Sequence, residues 1–131
     1  ISQLRRVLLI EDNEDARRSM VTILRYYGYR VFEAADGFEG IATAEEIQPD
    51  CAIIDIGLPQ YDGYEVAKRL RSLPACRHML LIALTGWGQV EDRERTAEAG
   101  FDAHLTKPPD PERLTSLLAP VSRNQKRPLD G

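Results

Sequence analysis

Cysteine is scarce in this 131-residue chain, and so are tryptophan and long apolar runs. Its two thiols, Cys51 and Cys76, are too few for a disulfide scaffold and match neither a CxxC pair nor a zinc ligand set. Both are expected as reduced core thiols of a cytosolic domain. The longest apolar stretch, Met79 to Leu84, falls far short of the ~18 residues a membrane helix needs, so neither a transmembrane helix nor a signal peptide is expected. Basic charge is not in excess: 17 Lys and Arg face 21 Asp and Glu, a net charge of -4. The one basic cluster, Arg123 to Arg127, falls in an expected tail, which argues against a general nucleic-acid binder. There is no GxxxxGK[ST], no internal repeat and no low-complexity segment.

What remains, 43% hydrophobic and 29% charged, is the composition of one ordinary globular domain with one core. The chain begins at Ile1 rather than Met, from which a fragment of a longer parent protein is expected. Five short apolar runs read as strands: Val7 to Ile10, Arg30 to Ala34, Cys51 to Ile54, Met79 to Leu84 and Ala103 to Thr106. Helical spacing fills the gaps. Ala16, Met20, Ile23, Leu24 and Tyr27 recur at three- and four-residue intervals, with Asp15, Arg17, Arg18 and Arg25 on the other face, until Gly28 stops the helix. Further helices are expected over Gly37 to Ile47, Tyr64 to Leu73 and Val90 to Ala99, and a last one carries Leu114, Leu117, Leu118 and Val121 behind an Asp110-Pro111 cap. Strict alternation of strand and helix, with strands apolar on consecutive residues, predicts an α/β fold: a doubly wound parallel sheet covered on both faces. The fourth helix offers only Val90, Ala97 and Phe101 as apolar contact and should be weakly anchored.

In open parallel sheets the ligand site lies outside the carboxyl ends of the strands, so the residues ending each run are the candidates. These are Glu11 and Asp12, Asp55, Thr85, and Thr106 with Lys107. Three carboxylates brought to one edge repel each other, and a hard divalent cation is the simplest relief. Mg2+ suits an all-oxygen set that keeps waters free for a phosphate oxygen, and no His or Cys converges there to favour zinc. Lys107 and the Thr85 hydroxyl add a cation and a donor suited to a phosphoryl group. Structural roles account for other polar residues. Asp36 and Asp62, each before a glycine, read as turn residues, Asp110 as a cap, and His78 as a solvated loop residue. An N-cap at Asp12 or Asn13 explains one acid there, not two. Lys107-Pro108 is a candidate cis bond. Trp87, between Gly86 and Gly88, suits either core packing or the site edge.

Taken together, Val-Leu-Leu-Ile-Glu-Asp-Asn (7 to 13), Ile-Ile-Asp-Ile-Gly-Leu-Pro followed by Asp-Gly-Tyr-Glu-Val-Ala (53 to 67), Ala-Leu-Thr-Gly (83 to 86) and Leu-Thr-Lys-Pro (105 to 108) resemble the receiver domain of bacterial two-component response regulators. The resemblance covers residues 5 to 121, leaving 122 to 131 as a polar tail or linker. It implies a flavodoxin-like (βα)5 sandwich with strand order 2-1-3-4-5. It implies Asp55 as phosphoacceptor, and Mg2+, with Mn2+ as a substitute, held by Glu11, Asp12, Asp55 and the Gly57 carbonyl. Thr85 would bind a phosphoryl oxygen and Lys107 the phosphorylated carboxylate. The donor would be a phosphohistidine of a histidine kinase or phosphotransfer protein. Thr85 and the residue three before Lys107, here His104 instead of the usual Tyr or Phe, would switch the face made by helix four, strand five and helix five. By the same resemblance, Gly57 and Trp87 would occupy the two positions that the family varies to tune phosphoryl lifetime. The domain would autodephosphorylate rather than turn over an external metabolite. It would be cytoplasmic, touch neither nucleic acid nor membrane directly, and resemble receivers joined to a sensor histidine kinase or chemotaxis-type effector absent from this chain.

Rival readings fit less well. A haloacid-dehalogenase phosphatase wants a second Asp two residues after its nucleophile, where Gly57 stands, and a flavodoxin wants a Ser/Thr/Gly phosphate loop where Glu11 to Asp15 would repel phosphate. The remaining alternative is a receiver-like interaction domain that works without phosphorylation.

Overall fold

Arg6–Ile10 (β1), Arg30–Ala34 (β2), Cys51–Asp55 (β3), Leu80–Thr85 (β4) and Ala103–Thr106 (β5) form one parallel sheet. Its order is β2-β1-β3-β4-β5, the expected flavodoxin-like one. The structure is a computed structural model and describes residues 5–86 and 93–119. Between the strands run Glu14–Tyr26 (α1), Gly37–Ile47 (α2), Gly63–Ser72 (α3), a 3-10 turn at Pro74–Cys76, Arg93–Ala99 (α4) and Pro111–Leu118 (α5). Trp87, Val90, Val121 and the expected tail 122–131 lie outside the described residues.

The consecutive apolar residues of the inner strands are explained by two cores, one on each face of the sheet. Leu8, Ile10, Ala52, Ile54, Leu81 and Ala83 pack with Val66, Ala67 and Leu70 of α3 on one face. Val7, Leu9, Cys51, Ile53, Ile82 and Leu84 pack with Met20, Val21 and Leu24 of α1 and Leu114, Leu117 and Leu118 of α5 on the other. A strand whose successive side chains point to opposite faces can be apolar throughout only when both faces are covered. Each large side chain so buried contributes about 1.5–3 kcal/mol. β2, an edge strand, departs from this pattern: Arg30 and Glu33 are exposed.

Helix starts are set by caps. Asn13 Oδ1 accepts from Ala16 N–H at 2.9 Å, and Asp110 Oδ1 accepts from Glu112 N–H at 3.2 Å. Asp36 and Asp62 are N-caps as well, more than the turn residues expected from their glycine neighbours: their Oδ1 atoms accept from Glu39 and Glu65 N–H at 2.8 and 3.0 Å. Glu39 reaches back toward the Ala35 N–H at 3.3 Å. Free N–H groups at a helix start need such acceptors, each worth about 1 kcal/mol. Gly28, at φ 90, ends α1 as expected.

Among its described residues α4 buries only Ala99. Polar contacts hold it instead. Arg95 stacks over the Tyr64 ring, 4.0 Å from its centroid, and lies 3.7 Å from the Asp62 carboxylate. At the other end of this unit, Arg71 of α3 donates to the carbonyls of Gly100, Arg77 and Met79 and to Asp102 Oδ2, which also accepts from Leu81 N–H.

Candidate functional site

Parallel register builds the site. Ile10 pairs with Ile54, so the next residues, Glu11 and Asp55, stand side by side where β1 and β3 end. Asp55 pairs with Leu84 and Thr85 with Thr106, which carries Thr85 and Lys107 to the same edge. Glu11 is fully buried, Asp55 is 4% exposed, and Asp12 is exposed on the turn into α1. Glu11, Asp12 and Asp55 each place an oxygen within 4.8 Å of the others, the one such group of potential metal ligands among the described residues.

Lys107 stands over this cluster. Its Nζ is 3.0 Å from Asp55 Oδ2 and 2.5 Å from Glu11 Oε2. Burial pushes the Glu11 carboxyl above the usual value, against the lowering effects of Lys107 and the Asn13 N–H, while Asp55 raises it further. Burial alone would push the Lys107 ammonium down, but its close polar contacts with Glu11 and Asp55 and their charges outweigh that, and its pKa is raised. Lys107 therefore stays charged and is the local counterion for two buried acids. It is an incomplete one. Glu11 Oε2 is buried and receives no well-aligned hydrogen bond, because the contact with Lys107 meets the distance of an ion pair but not the angles of a hydrogen bond. Three hard oxygen donors, one of them an orphaned buried carboxylate oxygen, fit a small divalent cation.

The other oxygens of the site are held locally. Asp55 Oδ1 accepts from Gly57 N–H at 2.8 Å, and Glu11 Oε1 accepts from Asn13 N–H at 3.0 Å. Gly63 lies flat against the end of β3: a Cβ there would sit 2.5 Å from the Asp55 carbonyl oxygen and 2.6 Å from the Ile56 Cα. Only glycine lets α3 start this close to β3.

Thr85 is buried, and its hydroxyl donates to the Leu105 carbonyl at 3.3 Å. The Lys107-Pro108 bond is cis. His104 is half-buried and does not join the acidic cluster. With Arg93, Thr96, Ala97, Phe101, Ala103 and Arg113 it lines a cavity of about 290 Å³ between α4 and β5. His78 is exposed, and both thiols are buried and free, as expected. Sequence reasoning missed Arg17, placed on the solvent face of α1: one guanidinium nitrogen donates to the Glu11 carbonyl at 2.9 Å.

No described helix is long and apolar enough to cross a membrane.

Comparison with known proteins gives a consistent result. Residues 7–119 match the response regulator receiver domain family. The chain is 36% identical over 121 residues to a DNA-binding dual master transcriptional regulator of Synechocystis, RpaA, spanning 92% of this chain but only half the length of that protein. It is 33% identical to the polar-differentiation response regulator DivK of Brucella anthropi, over 78% of this chain and 83% of DivK. Among solved structures, the receiver domain of a sensor histidine kinase from Pseudomonas aeruginosa, with a magnesium ion coordinated in its active site cleft, superposes with a TM-score of 0.80 at 34% identity, covering 88% of this chain and 95% of that one. With the sheet order, the acidic edge and these matches in agreement, the chain belongs to the response regulator receiver domain family, whose members act in two-component phosphorelay signalling.

Proposed function

We propose that Asp55 accepts a phosphoryl group from a phosphohistidine of a histidine kinase or phosphotransfer protein, in a Mg2+-dependent reaction. The observation that carries this reading is the buried Asp55 carboxylate with Lys107 Nζ at 3.0 Å and oxygens of Glu11 and Asp12 within 4.8 Å. Glu11, Asp12 and Asp55, with the Gly57 carbonyl, would hold the ion; Mn2+ has suitable chemistry to replace it. When bound, the cation supplies positive charge against the phosphoryl oxygens.

The chain's own residues do the rest. An Asp55 oxygen forms the new O–P bond as the P–N bond to the donor imidazole breaks, and the imidazole leaves with that electron pair and takes up a proton. Lys107 offsets the negative charge on the developing acyl phosphate, and Gly57 N–H steadies the carboxylate oxygen it already contacts. A groove lined by Ala16, Met20, Ile23, Lys107, Pro108 and Pro109 would give a donor protein apolar footing on the same residue, Lys107, that pairs with Asp55.

Thr85 exchanges its bond to the Leu105 carbonyl for one to a phosphoryl oxygen, and β5 with His104 responds. The cavity beside His104 gives the imidazole room to move, and the thin apolar contact of α4 suits a movable face. Attack of water on phosphorus then restores the Asp55 carboxylate and releases phosphate, so the domain is a timed switch. Incubation with Mg2+ and acetyl phosphate should add one phosphoryl group by intact mass. Asp55→Asn should abolish the adduct; an adduct that persists in that variant overturns the assignment.

A further inference from the structure

Arg17 belongs by spacing to the exposed side of α1, yet its side chain is only 19% exposed. It folds back beneath the turn between β1 and α1. There one guanidinium nitrogen donates to the Glu11 carbonyl at 2.9 Å, and Nε lies 3.4 Å from Glu33 Oε1 on β2. The carbonyl it holds belongs to the peptide unit that joins Glu11 to Asp12.

Three neighbouring backbone groups of this turn are also tied. Glu11 N–H donates to the Ala34 carbonyl at 3.1 Å, Asn13 N–H to Glu11 Oε1 at 3.0 Å, and Arg17 N–H to the Asn13 carbonyl at 2.9 Å. Glu11 has packing to orient it, being fully buried, whereas Asp12 is exposed. The direction of the Asp12 carboxylate therefore rests on the backbone that carries it. The strongest restraint on that backbone is a charge-assisted bond from a rigid planar donor, itself braced by an acid on the adjacent strand.

We propose that Arg17 is a positioning residue for the divalent-cation site. By holding the Glu11–Asp12 peptide it aims the Asp12 carboxylate at the ion that Glu11 and Asp55 would share. The inference rests on the reading of Glu11, Asp12 and Asp55 as a Mg2+ site, and it makes a prediction opposite in sign to simple electrostatics. A guanidinium near the site repels a divalent cation, so on charge alone its removal would tighten Mg2+ binding. If orientation dominates, removal weakens binding, as loss of an outer-shell partner of a metal ligand does by roughly tenfold or more.

The test is calorimetric titration of Mg2+ into the full chain as wild type, Arg17→Met and Arg17→Lys. Met keeps much of the volume but has no donor, whereas Lys keeps the charge and one donor able to reach a carbonyl. Arg17→Met should raise the Mg2+ Kd roughly tenfold, and Arg17→Lys should fall between it and wild type. In nitrogen-edited NMR spectra the Asp12 amide, which shares the held peptide, should broaden or split in Arg17→Met before any metal is added. A Kd for Arg17→Met equal to or tighter than wild type overturns the proposal. Should that variant not fold, Arg17→Lys decides by the same criterion. Wild type that binds no Mg2+ sinks the metal-site reading itself, whereas wild-type binding with unaltered variants sinks only the role of Arg17.

Discussion

Lys107 and Asp55, 52 residues apart in sequence, meet at 3.0 Å through Nζ and Oδ2. The same ammonium lies against Glu11 Oε2 at 2.5 Å. One lysine thus faces two buried carboxylates and offsets their charge only in part, and a metal ion would bring more charge of the same sign. On the proposed reading a cation would compete with the lysine for the same oxygens before phosphorylation, and the two would cooperate once a phosphoryl group added further negative charge.

Lys107→Ala separates these two roles. Removing a unit positive charge about 4 Å from a divalent ion is worth about 2 kcal/mol even at the dielectric of water, so Mg2+ should bind at least roughly tenfold more tightly than to wild type. In metal-free buffer the variant should be less stable, because two buried acids lose their counterion. Calorimetry in Mg2+ and urea unfolding in EDTA read the two effects. Weaker Mg2+ binding would show that Lys107 organises the acids more than it repels the ion.

Gly63 tests how closely the scaffold controls Asp55, the proposed acceptor. In Gly63→Ala the new methyl carbon would lie 2.5 Å from the Asp55 carbonyl oxygen and 2.6 Å from the Ile56 Cα, both backbone atoms that cannot rotate away. The start of α3 must shift, at a cost of about 1–3 kcal/mol. Slower acceptance of phosphate from acetyl phosphate should accompany it, since the displaced strand end carries Asp55. A variant as stable as wild type would mean that the loop before α3 absorbs the strain.

The fold was legible because parallel strands buried on both faces leave consecutive apolar residues, as in Cys51 to Ile54. Most of the site was legible for a related reason: its acids follow those runs without a spacer, and residues at strand ends must gather at one edge. Arg17 was not legible. Periodicity assigns a face from the Cα position, while a long side chain can fold back across that boundary to a carbonyl. Asp36 and Asp62 show another limit, since an acid before a glycine suits a turn and a helix cap equally, and only the helix that follows decides. Arg71 gave no signal, because its acceptors are mostly backbone carbonyls, which any sequence supplies.

Alkaline pH should destabilise the domain, and the buried thiols should set where this begins. Burial raises the Cys51 and Cys76 thiols above their ordinary 9.0 and the Tyr29 phenol above 10.0. In each case the unfolded chain releases its proton first. Above the unfolded value the native state holds more protons than the unfolded state, so unfolding free energy decreases as pH rises. The contribution is fully present below pH 9 and is lost progressively toward the raised native values. Each such group adds a slope of up to about 1.4 kcal/mol per pH unit. Urea unfolding between pH 8 and 10.5 should show this decline, and Cys51→Ala, though less stable at every pH for the cavity it leaves, should show a shallower one. An unchanged slope in that variant would mean that Cys51 ionises as readily in the native core as in the unfolded chain, which its complete burial opposes.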